Sequence, residues 1–222
     1  MSRGNRRLAI FKETSDYHEF LKCLAMTKET CAFTIHALCL MTNHFHMCIE
    51  TEDVEIWKIM HRLLMTYTAN YNIKYKVTGH LFENRYIGQL IEDDRYFLEV
   101  SRYIHLNPVK AGMVREPLSY EYSSYGLYVA GEGTRQSGKA GSMIADLVDT
   151  KRVLDMFRQD PREQYRMFVE GKISHAEQEM LIMKDIKEND SAGTYDCERP
   201  DLEDHAAGDE PLRPDVQSKI WL

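Results

Sequence analysis

The sequence His44-Phe45-His46 places two imidazoles one residue apart. If the segment is a β-strand, its side chains alternate between the faces of the sheet, so His44 and His46 share one face with Cys48. The intervening apolar side chains then point to the opposite, helix-covered face. Two imidazoles on one open face are close enough to bind a single metal ion. On spacing alone, the alternative is a pair of partly exposed strand histidines without a ligand.

A second group of candidate residues lies on a helix predicted over Asp93–Asn107. An aspartate caps its start, and Pro108 disfavours helical backbone at the residue before it. Tyr103 and Asn107 are four residues apart and therefore point the same way. Taken in isolation, Tyr103 is equally explained as a core residue and Asn107 as a C-terminal cap.

The two groups together predict a catalytic metal site. If the helix covers the open sheet face, the amide oxygen of Asn107 can join His44 and His46 as a third ligand. Three protein ligands with open positions are typical of catalytic rather than structural centres. Tyr103 would lie one helical turn away. A phenol has a pKa near 10 and needs activation, and a metal ion also neutralises charge on a reacting phosphate.

The order of predicted elements within residues 1–130 is β-α-β-β-α-β. They are a strand at Leu8–Phe11, a helix opened by Ser15-Asp16, hairpin strands at 32–41 and 44–50, a helix from about Glu55 and a strand at Leu81–Ile91. This order predicts an α+β, ferredoxin-like (RRM-like) antiparallel sheet with two helices on one face. The tyrosine-bearing helix is then available for the other face.

Composition divides the chain into four parts. Residues 1–130 form the predicted catalytic domain, and residues 131–142 are a Gly/Ser-rich linker. Residues 143–187 have helical periodicity and are interpreted as a small helical appendage. Residues 188–222 are acidic and contain three prolines, which predicts a disordered tail.

Charge and cysteine content narrow the class of protein. The net charge of −7 comes entirely from residues 188–222, so the rest of the chain is neutral and can still carry a basic groove. No apolar stretch reaches the length of a membrane span, which excludes an integral membrane protein. Five cysteines form an odd set without a CxxC pair, which indicates a reducing cytoplasm.

Several segments, in order, resemble the REP-associated tyrosine transposases, a branch of the single-tyrosine HUH endonucleases. The motif His44-Phe45-His46 matches their His, bulky apolar, His pattern. The matching segments cover roughly residues 1–130: Arg3-Gly4-Asn5, Leu40–His46, Gly79–Tyr86, Arg102–Gly112 and Tyr122–Tyr125. Family members usually have a full strand before Arg-Gly-Asn, whereas only Met1 and Ser2 precede it here.

The resemblance implies an enzyme that cleaves single-stranded or hairpin DNA, of the repetitive extragenic palindrome type. Tyr103 would form a 5′-phosphotyrosine and release a 3′-OH, so rejoining needs no ATP. His44, His46 and Asn107 would hold Mg²⁺ or Mn²⁺. Such a protein would act as a monomer or homodimer, at the nucleoid when bound to DNA. The candidate phosphate contacts are Arg3, Arg6, Arg85 and Lys110.

Two other interpretations are open at this point. The same fold serves RNA-recognition modules, so a catalytically silent nucleic-acid-binding protein is one alternative. A structural zinc site is another, and its four ligands would be His36, His44, His46 and Cys48. The zinc interpretation leaves Tyr103 and Asn107 without a role.

Overall fold

The computed structural model describes residues 2–130, 138–171 and 218–222. All of these except Glu170 and Gly171 belong to one compact unit. Its strands are β1 (Ser2–Arg3), β2 (Phe33–Leu40), β3 (His44–Thr51), β4 (Gln89–Leu90) and β5 (Ser218–Trp221). Its helices are α1 (Thr14–Thr30), α2 (Ile56–Tyr75), α3 (Asp94–Lys110), α4 (Tyr125–Ala130), α5 (Lys139–Leu147), α6 (Lys151–Leu154) and α7 (Pro161–Glu170). The class is therefore α+β, as predicted.

The predicted hairpin is confirmed as the antiparallel pair β2–β3, with Leu40 opposite Phe45 and Phe33 opposite Thr51. Apolar side chains on the two faces of this pair enter separate cores. One core contains Phe45 and residues of α1 and α2, whereas the other contains Cys48 and residues of α3. The alternation predicted for β3 is thus confirmed.

Asp16 joins the start of α1 to the end of α2. Its carboxylate accepts hydrogen bonds from the backbone N–H groups of Lys12 and Glu13, at 2.7 and 3.1 Å. The same carboxylate accepts from the Tyr75 hydroxyl at 2.7 Å and pairs with Lys74. These partners hold the pKa of Asp16 below its usual value although burial opposes the shift. The two helices predicted from the sequence are therefore held together on one face of the sheet.

Helix α3 begins as predicted but ends later. The Asp93 side chain accepts a hydrogen bond from the backbone N–H of Tyr96 at 2.7 Å, which caps the first turn. The predicted stop at Asn107 is wrong, because Pro108 lies inside the helix, which continues to Lys110. Pro108 is buried in the helix, and this burial outweighs the local preference for extended backbone before a proline.

A buried polar network centred on His105 fixes α3 against the rest of the unit. Nδ1 of His105 lies 2.8 Å from the Tyr165 hydroxyl on α7, and Nε2 lies 2.8 Å from Oγ of Ser124. Ser124 Oγ also accepts from the backbone N–H of Leu38 on β2 at 3.0 Å. Tyr165 donates in turn to Ser101 Oγ at 3.0 Å. Both ring nitrogens of His105 are thereby paired.

Two of the predicted strands need correction. Leu8–Phe11 is not a strand; the N–H groups of Ile10 and Phe11 instead bond to the carbonyl of Thr42. Of the predicted strand Leu81–Ile91, only Gln89–Leu90 pairs as a strand, with a further bridge from Phe82 to Gly4. Exposed polar residues at 83–85 separate these two pairings.

The C-terminal segment also differs from its prediction. Residues 218–221, which composition assigned to a disordered tail, form β5 in the sheet. The apolar run is too short to stand out beside the acidic residues that precede it. Residues 131–137 of the predicted linker and 172–187 of the predicted appendage lie outside the described residues, whereas α5, α6 and α7 pack on the two cores. Within the described ranges, no helix is both long and apolar enough to cross a membrane.

Candidate active site

Strand β3 brings His44 and His46 to the sheet face that α3 covers. Their ring centroids are 5.0 Å apart, with the ring planes nearly perpendicular. His46 is buried, whereas His44 is partly exposed at the rim of the site. This face is the one predicted to be open for a metal ion.

Both imidazoles are neutral at pH 7. Burial, and then the positive charge of Arg3, lowers the pKa of His44 to about 4. Burial, and then His44, lowers the pKa of His46 well below its ordinary value. A neutral imidazole offers a lone pair, which is the form that binds a metal ion.

Hydrogen bonding differs between the two rings. Nδ1 of His44 lies 2.6 Å from Oδ1 of Asn43; a proton on Nδ1 would donate to that oxygen and leave the lone pair on Nε2. Nδ1 of His46 is buried and, within the described part of the chain, has no hydrogen-bond partner. A buried nitrogen without a partner costs free energy, and a ligand would satisfy it.

Helix α3 places Tyr103 beside His46. The ring centroids of Tyr103 and His46 are 5.6 Å apart, in an edge-to-face arrangement. One turn later, the side-chain N–H of Asn107 donates to the backbone carbonyl of Tyr103 at 2.8 Å. With its N–H group used in this way, the amide oxygen of Asn107 is the atom left to act as a ligand.

The four predicted phosphate contacts have different environments. Arg3 on β1 lies opposite His44 in the sheet, and the Lys110 ammonium lies 4.5 Å from the ring centroid of Tyr103. These two positive charges therefore flank the site. Arg6 and Arg85 are exposed.

The zinc alternative is wrong. Nε2 of His36 lies 2.8 Å from a carboxylate oxygen of Glu50, which Arg152 also pairs. Among the described residues, no three His, Cys, Asp or Glu side chains are grouped to hold a metal ion. The site predicted from His44, His46 and Asn107 is not such a group, because its third ligand is an amide oxygen.

One aromatic side chain of the site was not predicted. Trp221 on β5 lies with its ring centroid 5.1 Å from that of Tyr103 and 6.4 Å from that of His46. The only signal in the sequence is the short apolar run Ile220-Trp221-Leu222, which follows the acidic segment. Asn43 belongs to the motif Leu40–His46, but nothing in the sequence indicates its contact with His44.

The chain is similar in sequence to known transposases. Residues 1–107 match the family model described as transposase IS200-like. A REP-associated tyrosine transposase of Haemophilus influenzae is 29% identical over 124 residues, which cover 50% of this chain and 70% of the relative. The resemblance to REP-associated tyrosine transposases is confirmed. The segment matched by the family model contains His44, His46, Tyr103 and Asn107.

A solved structure shares the fold. It is a REP-associated tyrosine transposase bound to a REP hairpin, with 20% sequence identity and a TM-score of 0.51. The match covers 63% of this chain and 82% of the other. Strand β5 and helices α4 to α7 lie outside the IS200-like segment defined by the family model.

Proposed function

We propose that this chain is a DNA strand-transfer enzyme that cleaves single-stranded or hairpin DNA. The Tyr103 oxygen loses its proton to solvent and attacks the phosphorus of a phosphodiester. A tyrosine–phosphate bond forms as the bond to the upstream 3′ oxygen breaks, and that oxygen takes up a proton. The downstream DNA is then attached through a 5′-phosphotyrosine. Attack by a 3′-OH reverses the step without an external energy source.

His44, His46 and Asn107 would hold a divalent cation, Mg²⁺ or Mn²⁺, for this reaction. Two neutral imidazoles and an amide oxygen suit these ions, and the buried Nδ1 of His46, which has no hydrogen-bond partner among the described residues, fits a site built for a ligand. Such an ion polarises a phosphate oxygen and neutralises charge that develops in the transition state. The contact with Asn43 would orient His44, and the helical turn from Tyr103 to Asn107 would set the nucleophile beside the ligands.

The observation that carries the proposal is the meeting of Tyr103 with His46. These residues are far apart in sequence and lie on different elements, yet their rings are in contact at the sheet face. A core tyrosine needs no such neighbour. The IS200-like family match and the hairpin bound by the structural relative both favour DNA as substrate.

Basic residues around the site would contact the DNA backbone. Arg3 and Lys110 flank Tyr103 and His44, where the scissile phosphate would lie. Arg6 and Arg85 would contact phosphates farther along the strand. Phosphate contacts of this kind position the DNA without selecting its sequence.

The sheet of such an enzyme would be ferredoxin-like. The strand order supports this: β2 pairs with one edge of β3, β1 and β5 pair with the other edge of β3, and β4 pairs with β5. Helices α1 and α2 share one core with the sheet, and α3 lies in the other. This arrangement is the one that opposes β3 to the tyrosine helix.

The test is formation of a covalent protein–DNA adduct. Purified full-length protein is incubated with Mn²⁺ or Mg²⁺ and end-labelled hairpin oligonucleotides, and denaturing gels report the adduct. We expect a metal-dependent band that carries the downstream label and is absent in Tyr103→Phe. Tyr96→Phe is the matched control, because Tyr96 lies on the same helix and its hydroxyl donates to Oε1 of Gln89.

If no adduct forms, the result favours the alternative that the chain is a catalytically silent nucleic-acid-binding protein. Under that alternative, Tyr103→Phe leaves DNA affinity unchanged, and no variant alters cleavage because there is none. Hairpin binding without any adduct, in the presence of bound Mn²⁺, would therefore contradict the enzymatic proposal.

A further inference from the structure

Strands β1 and β5 lie along the same edge of β3 and run in the same direction. Ser2 and Arg3 pair with Phe45 and His44, whereas residues 218–221 pair with Thr51 back to Cys48. Leu222 and Met47 exchange two backbone hydrogen bonds, at 2.8 and 2.7 Å. The two segments therefore meet opposite His46. Together they cover β3 as one continuous strand would.

The side chains of β5 fit both faces of the sheet. Ile220 and the buried Leu222 pack into the core of α1 and α2, and Trp221 points to the α3 face. A Cβ atom on Gly88 would lie only 3.1 Å from Ile220 and 3.2 Å from Leu222, so the segment before β4 is closely fitted to β5. This alternation is that of a strand with a defined register.

Trp221 completes a cluster of three aromatic rings at the site. Its centroid is 5.1 Å from that of Tyr103, with the planes at 77°, and its plane is within 17° of that of His46. Tyr103 and His46 are themselves 5.6 Å apart. Edge-to-face contacts of this kind favour one relative orientation of the rings.

We propose that residues 218–222 and β1 form one composite strand, and that Trp221 positions Tyr103 against His46. The proposal deepens the proposed function and rests on it for its effect on catalysis. With Trp221 in place, Tyr103 is held between two rings, so fewer of its rotamers are accessible. A nucleophile fixed in this way reacts faster than one that samples several orientations.

The pairing of β5 can be tested without any activity assay. Because Met47 and Leu222 form a hydrogen-bonded pair, Cys48 and Trp221 are the neighbouring non-hydrogen-bonded pair, with Cα atoms about 4.5 Å apart, within disulfide reach. We expect W221C, oxidised with glutathione disulfide, to link to the native thiol of Cys48. I220C is the matched control, because residue 220 faces the opposite core. Peptide mass spectrometry identifies the linked residues.

The positioning role is tested with W221A, W221F and W57F in the full-length chain. The Trp221 N–H has no hydrogen-bond partner among the described residues, so phenylalanine keeps the ring contact without losing a polar one. We expect W221A to slow adduct formation at least tenfold and W221F to stay within about threefold of wild type. Trp57 is exposed on α2, and W57F should match wild type.

A spectroscopic readout is independent of metal and DNA. In protein labelled with ¹³C on tyrosine rings, the Tyr103 signal is the one missing from Tyr103→Phe. We expect it to shift in W221A, which removes the ring current of the indole, and to stay in place in W57F. This readout tests the contact between Trp221 and Tyr103 even if the wild-type protein forms no adduct. The absence of an adduct would contradict only the proposed function.

Three results would overturn the inference. The composite strand would be contradicted if W221C formed no more disulfide with Cys48 than the control I220C does. An unmoved Tyr103 signal in W221A would contradict the contact. Adduct formation by W221A at or above the wild-type rate would contradict the positioning role, since a strand that only obstructed the site would give that result.

Discussion

Two buried histidines of this fold, His46 and His105, differ in what surrounds them. Burial lowers the pKa of both, so both are neutral at pH 7. His105 has both ring nitrogens paired, with Tyr165 and Ser124. His46 has a buried Nδ1 without a hydrogen-bond partner in the described part of the chain, and a tyrosine ring beside it. The comparison teaches that two equally buried histidines can differ in their hydrogen-bond partners: His105 is held through both ring nitrogens, whereas His46 keeps a ring nitrogen that a ligand could satisfy, beside a tyrosine.

The largest expected effect is on catalysis at His46. We expect His46→Gln to reduce adduct formation by about 1,000-fold, because loss of a ligand removes the several kcal/mol that a metal ion contributes. The free energy of unfolding should stay within about 1 kcal/mol of wild type, because no hydrogen bond between His46 and another described residue is broken. Urea titration measures the second quantity. The exposed His61→Gln is the control, and equal losses in both variants would refute the ligand role.

At His105 the effect should fall on stability instead. His105→Ala removes the hydrogen bonds that the Tyr165 hydroxyl and Ser124 Oγ make to the imidazole and opens a cavity, which we expect to cost about 3 kcal/mol of unfolding free energy. Urea unfolding monitored by circular dichroism measures this loss. A double-mutant cycle with Ser124→Ala should show coupling of about 1 kcal/mol. A stable His105→Ala protein would show that the network does not fix α3.

Because His44 and His105 are neutral rings in the folded protein, we expect the free energy of unfolding to increase as pH rises from about 4 to 6.5. Folded His105 has a pKa of about 3 and folded His44 about 4, whereas unfolded histidine titrates near 6.5. In that window the unfolded chain binds more protons, so acid favours unfolding and the stabilisation is complete above pH 7. Each histidine contributes up to about 1.4 kcal/mol per pH unit. Urea titrations at several pH values should give a smaller slope for His105→Ala; an unchanged slope would contradict its buried, neutral state.

The smallest effect is expected at Asn43, next to the ligands. Asn43→Ala removes the acceptor that orients His44, and we expect Mn²⁺ affinity to fall about tenfold, within the range seen for such outer contacts. Asn43→Asp keeps an acceptor and should keep most of the affinity. Isothermal titration with Mn²⁺ measures both. Equal affinity in wild type and Asn43→Ala would show that the contact does not orient the ligand.

Local patterns were enough to predict the elements that carry the chemistry. Alternation along β3 assigned His44 and His46 to one face, and helical spacing placed Tyr103 and Asn107 on one stripe of α3. These inferences depend on neighbours within a few residues, where the periodicity of strand and helix is decisive. Long-range features were not predictable in this way. The pairing of His105 with Tyr165 joins residues 60 positions apart, and nothing in the local pattern indicates it.

The contribution of β5 illustrates the same limit. Composition indicated a disordered tail because ten acidic side chains and three prolines dominate residues 188–222. Burial of Leu222 and the ring contacts of Trp221 depend on a strand about 170 residues earlier in the chain. Conversely, the predicted strand at Leu8–Phe11 has a composition typical of a strand but does not pair with a described strand of the sheet. Pairing partners, rather than propensity, decided both cases.

The most direct test of the central claim is to map the covalent adduct by mass spectrometry. Protein incubated with Mn²⁺ and hairpin DNA is digested with nuclease and protease, and the peptide that carries the nucleotide phosphate is sequenced. The proposed mechanism predicts that the modified residue is Tyr103, in the α3 peptide that also contains Asn107. Modification of another tyrosine, or its complete absence from metal-loaded protein that binds the hairpin, would contradict it.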